Sequence, residues 1–401
     1  MTDRAMTHKP LIDPLVAPSV APSLDLSRRV LVAMSGGVDS SVAACLMQER
    51  GLDVVGVFMA LTKADGYSGC CSRDDRRDAF AVAEARGFRF MAVNYQEHFD
   101  DLKAYFLREY DAGRTPNPCV RCNSQLKFGE LVALADRLHC QWIATGHYAQ
   151  VRDGKLLRGL DPAKDQSYAL ATIDARVLSR LHLPCGGYAK DDIRQMARER
   201  FGLTLGDKPD SQDLCFVKHD YRDVLVESGR LTPGRMIDTH GRLLAHHEGY
   251  QQFTIGQRKG LGIGGGGTVY RVVGINPATA TVVVSADPAD LESARVELDE
   301  VVWLDRPTAF PARIDVQIRY HGETWPGEVF EDGVVRLDAP ARAVTPGQLA
   351  AFYSGDQVLG GGFISQGRVW PAAERPAEAE GRPAQRLHAT SPGERRGVST
   401  P

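Results

Sequence analysis

The chain of 401 residues predicts an α/β fold: a doubly wound parallel sheet, then a small central domain and a C-terminal β-barrel. Three observations carry this expectation. Short apolar runs alternate with amphipathic stretches from residue 28 to about 148. A glycine-serine loop sits at the first junction of run and stretch. From about residue 221 the texture turns glycine-rich and strand-like.

The apolar runs 30–34, 54–59, 88–93 and 142–145 have the length and character of strands buried in a parallel sheet. Between them, 39–50, 74–86, 97–110 and 124–138 show helical periodicity. In the last, Leu131, Leu134 and Leu138 recur at spacings of three and four, the mark of one buried face. Alternation of this kind implies right-handed crossovers, with ligands at the carboxyl ends of the strands. After residue 148, Asp153-Gly154 marks a hairpin turn, and 173–181 and 191–201 look helical. Six glycines crowd 260–267, and the alternating segments 313–319, 334–337 and 348–353 suggest the barrel.

The lead-in 1–27 carries Pro10, Pro14, Pro18 and Pro22, and the tail 368–401 is rich in Pro, Ala, Glu and Arg. Both are expected to be disordered. Hydrophobic residues make up 43% and charged residues 25%, the balance of a soluble globular protein. No run approaches the roughly 20 apolar residues of a membrane span, so a cytoplasmic location is expected. A net charge of −3 gives no global footprint for nucleic acid, and any such partner must meet a local patch.

The sharpest motif is Ser35-Gly36-Gly37-Val38-Asp39-Ser40-Ser41. Two glycines let backbone N–H groups approach an anion, and the following helix aims its positive end at the same spot. Asp39 falls in the first turn, where a carboxylate suits the dipole and is within reach of a phosphate-bound Mg²⁺. The Gly-Lys-Ser/Thr ending of a Walker A loop is absent. The motif resembles the pyrophosphate loop of ATP pyrophosphatases. Met59 and Gly146 end two of the expected strands on the nucleotide-binding edge.

Eight cysteines at uneven spacings argue for metal binding or catalysis rather than a disulfide scaffold. Cys45, Cys140 and Cys185 sit among apolar neighbours and read as buried hydrophobes. Cys70-Cys71 read as loop residues. In Thr115-Pro116-Asn117-Pro118-Cys119-Val120-Arg121-Cys122-Asn123, two prolines stiffen a loop that opens a helix. Cys122 stands at the helix entrance beside Arg121, where positive potential favours a thiolate. Half of a zinc site is the competing reading. Cys215 follows the polar run from Lys208 and is expected to be exposed.

Taken in order, these motifs resemble the bacterial tRNA-specific 2-thiouridylases, from about residue 28 to 364. The likeness rests on 33–41, 114–123 and Ala144-Thr145-Gly146-His147-Tyr148. It continues through Arg158-Gly159-Leu160-Asp161, Lys164-Asp165-Gln166-Ser167-Tyr168, Cys215-Phe216, 256–265 and Thr345-Pro346-Gly347-Gln348. The resemblance implies an adenine nucleotide alpha-hydrolase-like catalytic domain over 28–220, a central tRNA-contacting domain over 221–290 and a barrel over 291–367. It implies ATP-dependent 2-thiolation of the wobble uridine, with Ala33, Met34, Ser35, Gly36, Gly37, Val38, Asp39, Ser40, Met59 and Gly146 on ATP. Asn117, Pro118 and Cys119 would surround the target base. Cys122 would be the nucleophile and Cys215 the persulfide carrier, the two ending as a disulfide. His147, Lys164, Asp165, Gln166, Arg319, Tyr320 and Gln348 would contact tRNA, of the Lys, Glu and Gln acceptors. Mg²⁺ and a cysteine desulfurase or sulfur-relay protein complete the implied partners.

One departure matters: much of the family has Asp where this chain has Cys119. Three cysteines, Cys119, Cys122 and Cys215, thereby become an alternative ligand set for a [4Fe–4S] cluster. A pyrophosphate-loop amide ligase is the other enzyme reading, and a zinc-dependent RNA-binding module the non-enzyme one.

Overall fold

A computed structural model describes residues 12–13, 26–61, 72–209, 214–217, 220–263 and 267–366. Cys70, Cys71 and the tail from 368 lie outside the described residues, and so does most of the lead-in.

The first layer is the expected parallel sheet. Its strands run Arg89–Asn94, Asp53–Ala60, Arg29–Ala33, Trp142–Ala144, Leu181–His182 across the sheet. All four pairings are parallel. Ile12–Asp13 adds an antiparallel edge against Val93 and Ala92, so these two residues of the lead-in are ordered where disorder was expected. They cover an open strand edge.

The chain moves one way from Arg29–Ala33 to its neighbours Asp53–Ala60 and Arg89–Asn94. It then crosses to the other side for Trp142–Ala144. The strand order therefore reverses between Arg29–Ala33 and Trp142–Ala144, which opens a crevice at their carboxyl ends. Helices cover both faces. Val38–Glu49 and Arg73–Arg86 pack through Val42, Leu46, Ala79 and Val82. Gln96–Asp111 and Phe128–Arg137 pack through Phe99, Phe106, Leu131 and Leu134.

Several boundaries differ from the sequence reading. The helix expected from 124 begins at Pro118 and runs through a wide turn, Cys122–Lys127, into Phe128–Arg137. Pro118 at the first helical position fits, since its missing N–H would have had no partner there. The stretch 173–181 holds only the short 3-10 turn Ala175–Arg180 and then the edge strand. The strand-like region from 221 opens on a helix, Tyr221–Glu227, started by an Asp220–Asp223 capping box.

The central unit is a four-stranded sheet in the order Leu243–His247, Gly234–Asp238, Thr281–Ser285, Arg271–Asn276. The last unit is a closed six-stranded barrel. Glu292–Trp303 pairs with Gln357–Gln366 to shut it, around Val296, Val316, Val335, Phe352 and Ile364. The hairpin Ala149–Arg152/Lys155–Arg158, read as part of the catalytic unit, adds to the barrel's sheet through Leu157 and Gln357.

That seam is held by polar groups as well. Asp165 is buried, and its two oxygens accept from Gly159 N–H (2.9 Å), Ser167 N–H (3.0 Å), Ser167 Oγ (2.9 Å) and Arg158 Nη1 (3.0 Å). Arg158 also donates to Gln317 Oε1 at 3.1 Å and lies 3.7 Å from the centre of the Tyr353 ring. Removing the carboxylate strands a half-buried guanidinium and two backbone donors. Asp165→Ala is therefore expected to cost about 3 kcal/mol, read as a lower urea midpoint.

Candidate active site

The crevice is floored by the loop after Arg29–Ala33. Gly36 has φ +77°, and a Cβ there would lie 2.1 Å from the Asp75 carbonyl oxygen, so only glycine fits. Gly37 caps Val38–Glu49 with no side-chain hydrogen bond. The first-turn N–H groups are thus left for an outside acceptor. The serines brace the loop instead. Ser40 Oγ accepts from Ser35 N–H (3.1 Å) and donates to the Gly37 carbonyl (3.2 Å), which also accepts from Ser41 Oγ (2.9 Å). An uncapped helix start behind two glycines suits a polyphosphate.

Asp39 does not face that space in the way the sequence suggested. Lys190 Nζ donates to both carboxylate oxygens at 2.7 and 2.8 Å, and the Tyr148 hydroxyl donates at 2.6 Å. The carboxylate is matched by a cation on this side. Lys190 was missed in the sequence. Its signal was its place at the start of Lys190–Gln195, where a helix dipole disfavours a cation unless an anion meets it.

Gly146 closes the other side. A Cβ on it would lie 2.7 Å from Ser40 N and 2.8 Å from Asp39 C, so the turn after Trp142–Ala144 packs directly on the first turn of Val38–Glu49. Met59 ends its strand half-buried beside the crevice. Lys208, also missed, donates to the Gly36 carbonyl (2.9 Å), Asp75 (2.7 Å) and Asp78 (2.6 Å). Burial alone would raise the Asp75 pKa, but the Lys208 and Ser72 bonds outweigh it and hold the carboxyl below its usual value.

The cysteine segment lies on the opposite face of the sheet. Asn117 caps the new helix start, its Oδ1 accepting from Val120 N–H at 3.3 Å. The first turn therefore holds the exposed Cys119, while Cys122 is buried one turn on, inside the wide turn. The positive end of this helix lies nearer Cys119 than Cys122. Arg121 is likewise not spare charge. It makes a two-pronged pair with Glu300 of the barrel (2.5 and 2.6 Å) and stacks 3.8 Å from the centre of the Phe363 ring. Glu300 has φ +52° at a register break in its strand, a bulge that turns the side chain toward Arg121. That guanidinium holds the Glu300 carboxyl below the usual range.

Cys215 is half-buried rather than fully exposed. It packs against the same apolar cluster that contains Cys122, Phe99, Phe106 and Phe216. Phe216 anchors it edge-on to Phe99 and Phe106, ring centres 5.8 and 5.1 Å apart. Cys122 and Cys215 thus share one cluster, and neither is in a disulfide. Among the described residues no group of three or more His, Cys, Asp or Glu could hold a metal ion. Cys119 is exposed, Cys122 buried and Cys215 half-buried. Cys45 and Cys140 are buried, and burial pushes both thiols up to about 11. Burial raises Cys185 further still. All three behave as the inert hydrophobes expected.

Of the residues expected on RNA, Arg319 and Tyr320 are exposed and Lys164 is half-buried. Gln166 is engaged within the protein, its Oε1 accepting from Tyr148 N–H at 2.9 Å. His147 is tied to Thr145 Oγ1 at 2.8 Å and packs on Phe128. Burial first, and Lys127 second, depress its pKa to about 3.

Three family models match in succession. They are a tRNA methyl transferase HUP domain over 28–219, a tRNA methyl transferase PRC-barrel domain over 222–286 and an aminomethyltransferase beta-barrel domain over 293–364. The tRNA-specific 2-thiouridylase MnmA of Carboxydothermus hydrogenoformans is 43% identical over 361 residues, spanning 84% of this chain and 98% of that protein. The corresponding protein of Chloroflexus aurantiacus is 44% identical over 358 residues, 85% and 99% of the two chains. The chain belongs to the tRNA-specific 2-thiouridylase family. The thiouridylase fold accounts for a loop and a cysteine segment on opposite faces of one sheet edge.

Two outcomes follow for this thiouridylase. Gly146→Ala forces the two turns apart and is expected to weaken binding of an ATP analogue about tenfold or more, measured by titration calorimetry. The histidine gives a pH signature. Its folded value lies below the roughly 6.5 of an unfolded histidine, so the unfolded chain binds the extra proton. Its contribution therefore lowers stability as pH falls from about 6.5 toward 3. The His147 ring resonance is expected to stay flat in an NMR titration from pH 8 to 5.

Proposed function

We propose that this enzyme uses ATP to thiolate C2 of the wobble uridine of tRNA, with Cys122 and Cys215 carrying the sulfur chemistry. The observation that supports this best is the shared cluster of Cys122 and Cys215, which lies beyond the ATP loop across one sheet edge.

The uncapped first turn after Gly37 and the backbone of 35–40 hold the phosphates, with Met59 and Gly146 bordering the adenine side. Mg²⁺ enters as the nucleotide's own counter-ion, since Asp39 is matched by Lys190. The uridine C2 oxygen attacks the α-phosphate, and pyrophosphate leaves. Donors fixed at the helix start take up the developing charge without reorganising. Asn117, Pro118 and Cys119 border the base, which must be splayed from its neighbours to reach them.

The terminal sulfur of a Cys215 persulfide attacks C2 and AMP departs, leaving the base joined to Cys215 through two sulfurs. The Cys122 thiolate attacks the Cys215 sulfur. The sulfur–sulfur bond breaks, 2-thiouridine is released, and a Cys122–Cys215 disulfide remains. A thiol reductant resets it, and a cysteine desulfurase or relay protein reloads Cys215. Burial of Cys122 suits this order, because the resolving thiol is kept from adventitious oxidants until the carrier arrives.

Lys164, Arg319 and Tyr320 offer positive charge and an aromatic face to the RNA, with His147 as a neutral ring. Acceptors for Lys, Glu and Gln are the proposed substrates. Cys215→Ser is expected to abolish 2-thiouridine formation while ATP–pyrophosphate exchange on unmodified tRNA persists. Full thiolation by that variant, with RNA nucleosides analysed by mass spectrometry, would sink the carrier role.

A further inference from the structure

The barrel also grips the catalytic unit just before Cys119. Gln348 Nε2 donates to the carbonyls of Thr115 (2.9 Å) and Pro116 (3.2 Å). Thr115 N–H donates back to the Pro346 carbonyl at 2.8 Å. Gly347 between them has φ +89°, and a Cβ there would stand 2.7 Å from the Thr115 oxygen. The Gln348 backbone is itself fixed, its carbonyl accepting from Ile364 N–H at 2.8 Å and its N–H donating to Thr345 at 3.2 Å. The gripped segment cannot hold itself. Pro116 and Pro118 have no N–H to give, so the carbonyls around them take donors from elsewhere. The residue that follows, Asn117, is the cap of the cysteine-bearing helix.

We infer that Gln348 is a positioning residue for catalysis: its side-chain amide sets the backbone of residues 115–117, and so the place of Asn117, Pro118 and Cys119 against the uridine. This rests on the proposed target-base role of those three residues. A primary amide nitrogen has two hydrogens, and here both go to protein carbonyls. Only Oε1 remains, and an acceptor has nothing to offer a phosphate oxygen. Loss of Gln348 frees the 115–117 backbone and so falls on the chemical step; Oε1 can still accept from a ribose hydroxyl or a base N–H, a separate contribution that Gly347→Ala leaves in place.

The test uses the full-length enzyme with unmodified tRNA. Gln348→Met keeps length and removes the amide; Gly347→Ala pushes the same carbonyl from the barrel side and removes no polar group. Three quantities are read: tRNA dissociation constant, single-turnover thiolation rate at saturating tRNA, and hydrogen exchange across residues 114–122. Both variants are expected to lose about tenfold or more in rate, the scale of a small misplacement. In Gly347→Ala, which removes no polar group, the tRNA constant should stay within about twofold, and exchange at Val120 N–H should quicken in both variants. A tenfold weaker tRNA constant with unchanged rate and exchange in Gln348→Met would make the residue an RNA contact and overturn the inference. So would a Gly347→Ala enzyme unchanged in rate and exchange, which decides the matter if Gln348→Met folds poorly. Quickened exchange with an unchanged rate would leave the clamp standing and overturn the target-base reading on which it rests.

Discussion

The carboxylate of Asp39 is the point on which the catalytic unit turns. It meets Lys190 from one helix and the Tyr148 hydroxyl from the turn beyond Trp142–Ala144, while its own backbone carbonyl accepts from the Cys185 thiol at 3.3 Å. Three segments far apart in sequence converge on the first turn of one helix. That turn must keep its N–H groups uncapped to serve an anion, so it needs support from behind rather than from a cap in front. A buried cation facing a carboxylate supplies this, at a desolvation cost that excellent geometry offsets.

Much of this was legible in the sequence, and what was missed has physical causes. The glycine loop at a strand end specifies its own geometry, because Gly36 adopts a conformation other residues resist. The long helices declare a buried face every three or four residues. Short elements carry no such redundancy. Leu181–His182 is two residues long, and no period can show in it. The helix start at Pro118 was placed late because Pro-x-Pro reads as loop, whereas a proline in a first turn is favoured.

Site residues divide the same way. Cys122 and Cys215 could be singled out by motif, but their exposure could not, since it depends on Phe99, Phe106 and Phe216 packing across domains of sequence. Arg121 looked like a free charge beside a thiol because Glu300, its partner, is 179 residues away on a barrel strand. Asp165, Gln166 and Gln348 also bond within the protein, to partners that no motif reveals.

The hairpin Ala149–Arg152/Lys155–Arg158 pairs with Gln357, whose partner Leu157 lies about 200 residues earlier in the chain. At about 5–20 residues per second of synthesis, that strand edge leaves the ribosome tens of seconds before its partner exists. The α/β sheet can close meanwhile, but the seam cannot. The nascent enzyme therefore passes through a stage with a folded nucleotide site, an open edge and an ungripped cysteine loop. Charged Lys155 and Arg158 along that edge discourage pairing with other chains during the wait.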